Sequence, residues 1–269
     1  MGSLENNYNL AQEVWRKAYA PRLFGCYHSA IPLSSRVAKV LKPLESRVFM
    51  KPSEAKIEIL AHGPYEVTGD PALRPRRVVR TERGEALTYR AEQEIPHGDT
   101  YYLCRCGKSE HKPFCDGSHA FELFDGTETA ATNTFDERAE RHEGDGVVVR
   151  VDQELCHHAA FCKYEANSYF DLIGSTGSTN TLSQLVAMID RCPSGALAIE
   201  VNGHDVEAVL PVQISPIGDG PLLLTGGVRV TRSDGVEVEV RNRLSLCRCG
   251  ASENKPLCDG THRNIGFEA

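Results

Sequence analysis

The chain has 269 residues, 41% of them hydrophobic and 25% charged, with a net charge of −7. That length holds two or three small domains, and the acidic balance argues against nucleic acid as a partner. No run of about 18 apolar residues is present to span a bilayer, so no membrane association is expected. The opening MGSLENNYNL lacks a basic region followed by an apolar core, which points to a cytoplasmic chain rather than an exported one. Residues 10–44 read as short amphipathic helices punctuated by Pro21, Pro32 and Pro43, giving a helical extension over 1–55. The basic stretch from Arg74 to Arg83 is interrupted by valines and reads as a strand with a solvated edge. Arg77–Thr81 and Ala86–Arg90 are expected to pair about Arg83-Gly84. Val147–Val151 then reads as a strand, Cys156–Tyr169 as a loop entering a helix, Thr181–Ile189 as a helix and Ala196–Val201 as a returning strand. GSTGSTN (174–180) follows no strand and is expected to be a loop, not a phosphate cradle. Val228–Val240 alternates apolar and polar residues around Ser233-Asp234-Gly235, the pattern of a hairpin.

The ten cysteines fall at 26, 104, 106, 115, 156, 162, 192, 247, 249 and 258. Without an export signal, clusters of cysteine beside histidine point to metal binding rather than to a disulfide scaffold. Nine form three sets of three. Cys26 is left over and reads as a packing residue.

The chain also repeats itself. LCRCGKSEHKPFCDGSH (103–119) matches LCRCGASENKPLCDGTH (246–262) at an offset of 143, and the match extends to Phe124 and Phe267. Upstream, HGPYEVTG (62–69) matches DGPLLLTG (219–226) at an offset of 157. The first copy therefore holds 14 additional residues, expected as a hairpin insertion near Arg74–Glu85 or Gln93–Asp99.

Within each repeat, two cysteines one residue apart do not easily bond to each other, but both thiolates can reach one iron. Cys115 and His119 lie four apart, on one face if Asp116 starts a helix, and can ligate a second iron. Lys112-Pro113 stiffens the arm between the pairs. The second copy repeats this with Cys247, Cys249, Cys258 and His262. The pattern C-x-C-x2-S-x3-P-x-C-D-G-S/T-H resembles the CDGSH iron–sulfur family, with only Ser118 exchanged for Thr261. The resemblance implies a 2Fe–2S cluster in each copy, held by three cysteines and one histidine, and a β-rich module that pairs with another like it. Here the two modules would pair inside one chain, a monomer with an internal pseudo-dimer. A neutral histidine ligand should raise the potential above that of an all-cysteine site and couple electron to proton transfer. A zinc site with the same donors is the alternative.

The third set is Cys156, Cys162 and, 30 residues on, Cys192 followed by Pro193. It resembles the bacterial ferredoxin run with its central cysteine replaced by Ala159. CHHAAFC with RCPSGAL resembles the divergent mono-cluster ferredoxin domain often found beside CDGSH modules. The resemblance implies a 3Fe–4S cluster, or a 4Fe–4S cluster if His158 is the fourth ligand; otherwise His158 donates a hydrogen bond to a cluster sulfide. Loss of the cluster with retention of the fold, or another metal, are the alternatives.

The expected architecture is α+β: a helical extension over 1–55, CDGSH modules at 56–128 and 208–269 paired with pseudo-twofold symmetry, and between them a β-α-α-β ferredoxin-like domain at 145–203. The expected function is electron transfer through two 2Fe–2S clusters and one larger cluster, with a reductase or oxygenase as redox partner. Two rivals remain. One is an enzyme using an open iron corner of the middle cluster as Lewis acid, with His157, Lys163 and Arg191 near it in sequence. The other is a cluster-transfer or redox-sensing protein exploiting labile histidine ligation.

Overall fold

The structure is a computed structural model that describes residues 54–164 and 167–269. The helices expected before residue 54, and Cys26 among them, lie outside the described residues. In chain order the first repeat supplies β1 (Lys56–Ile59), β2 (Tyr65–Thr68), β3 (Ala72–Leu73), β4 (Arg76–Arg80), β5 (Ala86–Ala91), β6 (Tyr101–Leu103) and the single-turn helix α1 (Ser118–Phe121). A second short helix, α2 (Phe135–Arg138), leads into the middle segment. That segment contains β7 (Glu140–Gly144), β8 (Val147–Val151), the short pair β9 (Lys163–Tyr164) and β10 (Asn167–Ser168), α3 (Tyr169–Ile173), α4 (Thr179–Asp190), β11 (Leu197–Val201) and β12 (His204–Asp205). The second repeat adds β13 (Gln213–Pro216), β14 (Leu222–Thr225), β15 (Arg229–Thr231), β16 (Glu237–Val238) and β17 (Arg243–Leu246).

The repeats exchange strands. One sheet runs β16-β15-β1-β2-β6 and another β17-β14-β13-β3, so each copy's sheet is completed by strands of the other. The exchanged pairings are parallel and share one register. Lys56 faces Arg229 and Ile57 faces Val230, while Gln213 faces Ala72 and Ile214 faces Leu73. Strands of two or three residues cannot hold a sheet edge alone, and the exchange gives β3 and β15 their partners.

Burial separates the copies. β2, YEVT, buries alternate residues, as a strand with one solvated face does, whereas β14, LLLT, is buried throughout. One hydrophobic core runs from Ile57, Tyr65 and Leu103 through Ile214, Leu222 and Leu246 to Val149, Leu185 and Ile199 of the middle segment. There β7, β8, β11 and β12 form an antiparallel sheet with Val149 opposite Ile199. α3 and α4 connect β8 to β11, and Ser168 caps α3 with a reciprocal bond to Asp171.

The 14 additional residues of the first copy lie in the β4–β5 hairpin, which closes around Thr81–Glu85 as the sequence suggested. This hairpin reaches the middle segment: Tyr89 stacks on Phe161 at 4.8 Å, and Arg191 donates to the Leu87 carbonyl at 3.3 Å. Among the described residues, no helix is long and apolar enough to cross a membrane.

Candidate functional site

The outer donor sets are built the same way. Cys104 follows directly on β6 and Cys247 on β17. Their N–H groups donate to Pro113 and Pro256, each at 2.8 Å, and the Cys115 and Cys258 N–H groups return to Tyr102 and Ser245 at 2.9 Å. These ladder bonds fold the arm back, so the distant cysteine of each motif arrives beside the close pair. Ser109 and Ser252 shape the arm by donating to the Phe114 and Leu257 carbonyls at 2.7 Å.

The helix expected from Asp116 starts two residues later. Gly117 sits at φ +93, which glycine adopts without penalty, and Asp116 instead accepts from the Ser118 N–H at 3.0 Å. In the second copy the same segment is a 3-10 turn, Thr261–Arg263. Both forms bring the histidine back onto the cysteine four residues before it. Cys115 Sγ lies 3.3 Å from His119 Nδ1, and Cys258 Sγ lies 3.4 Å from His262 Nδ1. Nδ1 is therefore the nitrogen that faces the sulfur in each set.

The close cysteine pairs are 3.8 Å apart, Cys104 to Cys106 and Cys247 to Cys249. The donors thus come two and two. That arrangement suits a two-iron cluster better than one zinc. The Cys106 thiol, then the N–H groups of Ser109, Gly107 and Cys106, hold Cys104 down to about 5. Cys247 is lowered to about 7 in the same way by Cys249. In each close pair, then, the first thiol is lowered by the second and by backbone N–H groups, while the pairing and burial raise the second.

The arginine between the paired cysteines has a structural role in both copies. Arg105 is 1% exposed and turns away from the sulfurs. It donates to the Leu60 and Gly126 carbonyls, pairs with buried Glu128 and lies over the Phe124 ring. Arg248 likewise donates to Gly220 and Ile217 and lies over Phe267. The signal was present in the repeat: an arginine between two cysteines and a phenylalanine 19 residues on, in both copies.

The two sets differ in their surroundings. His119 and Cys115 are half-buried, whereas His262 and Cys258 are buried. Burial, then the Arg263 charge, lowers His262 to about 4. The sets also touch. A Cβ on Gly250 would lie 2.5 Å from the Cys106 carbonyl oxygen, and one on Gly107 would strike the Cys249 carbonyl. Tyr65 of the first copy donates to the Cys247 carbonyl at 2.7 Å.

The middle donors surround a cavity of about 290 Å³ lined by Cys156, His158, Cys162, Tyr169 and Cys192. A single water needs about 10–15 Å³ of such space, so the cavity is larger than one ion requires. Burial raises the Cys156 and Cys162 thiols, and the charge of Cys192 acts on both in the same direction. His158 and Ala160 hold left-handed backbone at φ +55 and +64, strain concentrated in the loop that carries the donors. His158 Nδ1 lies 3.8 Å from Cys156 Sγ. His157 also lines this cavity. It is buried, kept neutral by burial with its pKa lowered to about 3, and its carbonyl accepts from Arg263 at 2.7 Å. Arg191 does not line the cavity, because it donates to the Ala187 and Leu87 carbonyls. Lys163 lines it but is exposed.

Arg243, which the sequence reading passed over, ties the second outer set to the middle one. Its guanidinium donates to the carbonyls of Ile189, Asp190 and Cys192 at 2.7–2.9 Å, closing the C-terminus of α4, and its Nε donates to Glu207.

Residues 62–120 and 219–263 match the family described as iron-binding zinc finger CDGSH type, and residues 142–202 match the divergent 4Fe-4S mono-cluster family. Among curated proteins, the mitochondrial CDGSH iron-sulfur domain-containing protein 3 of Mus musculus is 55% identical over 29 residues, 11% of this chain and 21% of that protein. The Homo sapiens protein of the same name is 49% identical over 37 residues, 14% of this chain and 29% of that protein. The chain thus spans less than a third of the length of these relatives, and no solved structure matches it. The geometry and these matches together make the chain one with two CDGSH-type iron-binding modules flanking a divergent 4Fe–4S mono-cluster domain.

Proposed function

We propose that the chain is an electron-transfer protein whose clusters form a relay, from the first outer site through the second to the middle site. Cys104, Cys106, Cys115 and His119 would hold one 2Fe–2S cluster, and Cys247, Cys249, Cys258 and His262 the other. Cys156, Cys162 and Cys192, with His158 as candidate fourth donor, would hold a 3Fe–4S or 4Fe–4S cluster. Clusters so held exchange single electrons. The carrying observation is contact between donor loops. Gly107 and Gly250 abut the Cys249 and Cys106 carbonyls, and Gly260 and Arg263 lie against the His157 carbonyl, one residue from Cys156. Each donor loop therefore rests on the next. The shared register of the exchanged strands supports a pseudo-twofold, internally paired monomer.

Iron and sulfide content with EPR tests this reading. The purified chain should hold about seven or eight irons. Dithionite should bring up 2Fe–2S signals, and reoxidation by ferricyanide should restore the starting spectrum with iron retained. A signal before reduction assigns 3Fe–4S to the middle site. Iron and sulfide passing to an apo-acceptor without reversible reduction would overturn electron transfer in favour of cluster transfer, the reading that half-buried His119 favours. His119→Cys and His262→Cys should each lower one reduction potential by on the order of 100 mV, a fraction of the span between two-histidine and all-cysteine 2Fe–2S sites. Unchanged potentials in a redox titration would remove these histidines from the donor sets.

A further inference from the structure

The two repeats diverge just past their donor histidines. Phe121 and Leu123, two and four residues beyond His119, are each 88% exposed. At the matching positions the second copy has Asn264 and Gly266. Leu123 holds φ +48, and Gly266 holds the corresponding left-handed conformation at φ +63. Glycine suits that backbone, whereas a leucine there is strained. At 88% exposure the leucine side chain recovers little by packing among the described residues. A strained backbone that holds an apolar side chain out in water, two residues from an exposed phenylalanine, marks a surface for another molecule. Both residues follow the donor of the more exposed outer site. The segment that carries them, residues 113–127, holds Asp116, Glu122 and Asp125 and no lysine or arginine.

We propose that Phe121 and Leu123 form the docking surface of a partner protein that exchanges electrons at the first outer site and presents an apolar patch rimmed by lysine and arginine. The three carboxylates of this segment complement such a rim. A second copy of the chain fits less well, since a twofold contact would set Asp116, Glu122 and Asp125 near their own equivalents. The proposal deepens the electron-transfer reading and rests on it.

The variant Phe121→Asn with Leu123→Gly gives the first copy the residues of the second. The chain is reduced with dithionite, freed of excess and mixed with ferric cytochrome c, a basic redox protein used as the probe; each transferred electron leaves a reduced cluster and converts one ferric haem to ferrous. Ferricyanide serves as an oxidant too small to need the surface. The bimolecular rate with cytochrome c should fall about tenfold or more in the variant, and salt should slow the parent more than the variant. The ferricyanide rate and iron content should stay unchanged, and thermal stability should hold or rise as the strain at residue 123 is released. An unchanged cytochrome c rate overturns the proposal. So does loss of iron or stability, which would make the two residues structural. Concentration-dependent dimers of the parent that vanish in the variant would hand the surface to a second copy. If neither oxidant reacts with the parent, the electron-transfer reading falls, and the docking proposal with it.

Discussion

Arg243→Met should destabilise the described fold by about 2–3 kcal/mol and release iron from the middle site before the outer ones. Methionine keeps most of the side-chain length, so the loss isolates the guanidinium. Without it, the Ile189 and Cys192 carbonyls keep only backbone N–H donors, from Cys192 and Gly195, and the Asp190 carbonyl loses the guanidinium. The Glu207 carboxylate is 42% exposed and hydrates when its partner goes, so little of the cost comes from that ion pair. Cys192 is the donor most directly affected, because its own carbonyl is one of the three. Chemical denaturation with iron content followed in parallel measures both effects. Loss of stability with all three sites equally retained would separate Arg243 from the middle site.

Gly250→Ala should disturb both outer sites at once, although it changes one repeat. The new Cβ would lie 2.5 Å from the Cys106 carbonyl oxygen of the other copy, and φ +83 already disfavours an L-residue. Backbone stands on both sides, so neither can rotate away. Left-handed strain and overpacking together cost about 2–5 kcal/mol. Gly107→Ala should act the same way against Cys249. Gly117→Ala serves as the control, since its Cβ would meet nothing within 4 Å and only the strain at φ +93 remains. Redox titration of each variant decides the matter. A shift confined to the substituted repeat would mean that the loops do not act through each other.

The donor sets were legible because their geometry is local. Cys-x-Cys and Cys-x3-His span few residues, and the bonds that close the arm join positions inside one motif. The Val228–Val240 hairpin was legible for the same reason, its alternation surrounding a turn at Gly235. What escaped is non-local or without period. β3 is too short to carry a pattern, and nothing local in β15 announces a second partner beyond its hairpin, so the exchange between copies could not be read from either. β7, ERHEG, is a polar edge strand with no apolar alternation and was missed. Arg243 looks like an ordinary strand residue until α4, some 50 residues earlier in the chain, ends against it. The start of α1 shifted because Asp116 bonds forward to Ser118 instead of entering the helix.

The exchange of strands also bears on why two near-identical motifs can do different work. When a module meets a separate copy of itself, every substitution appears on both sides at once, and a face cannot be buried in one and left open in the other. Joined in one chain, the two faces are inherited separately. β14 could become LLLT and sink into the interior while β2 stayed YEVT with one face in water. Asn264 and Gly266 could stay plain where Phe121 and Leu123 became prominent. One inherited chemistry thereby has an inner and an outer address, which two free copies of a single gene product cannot have.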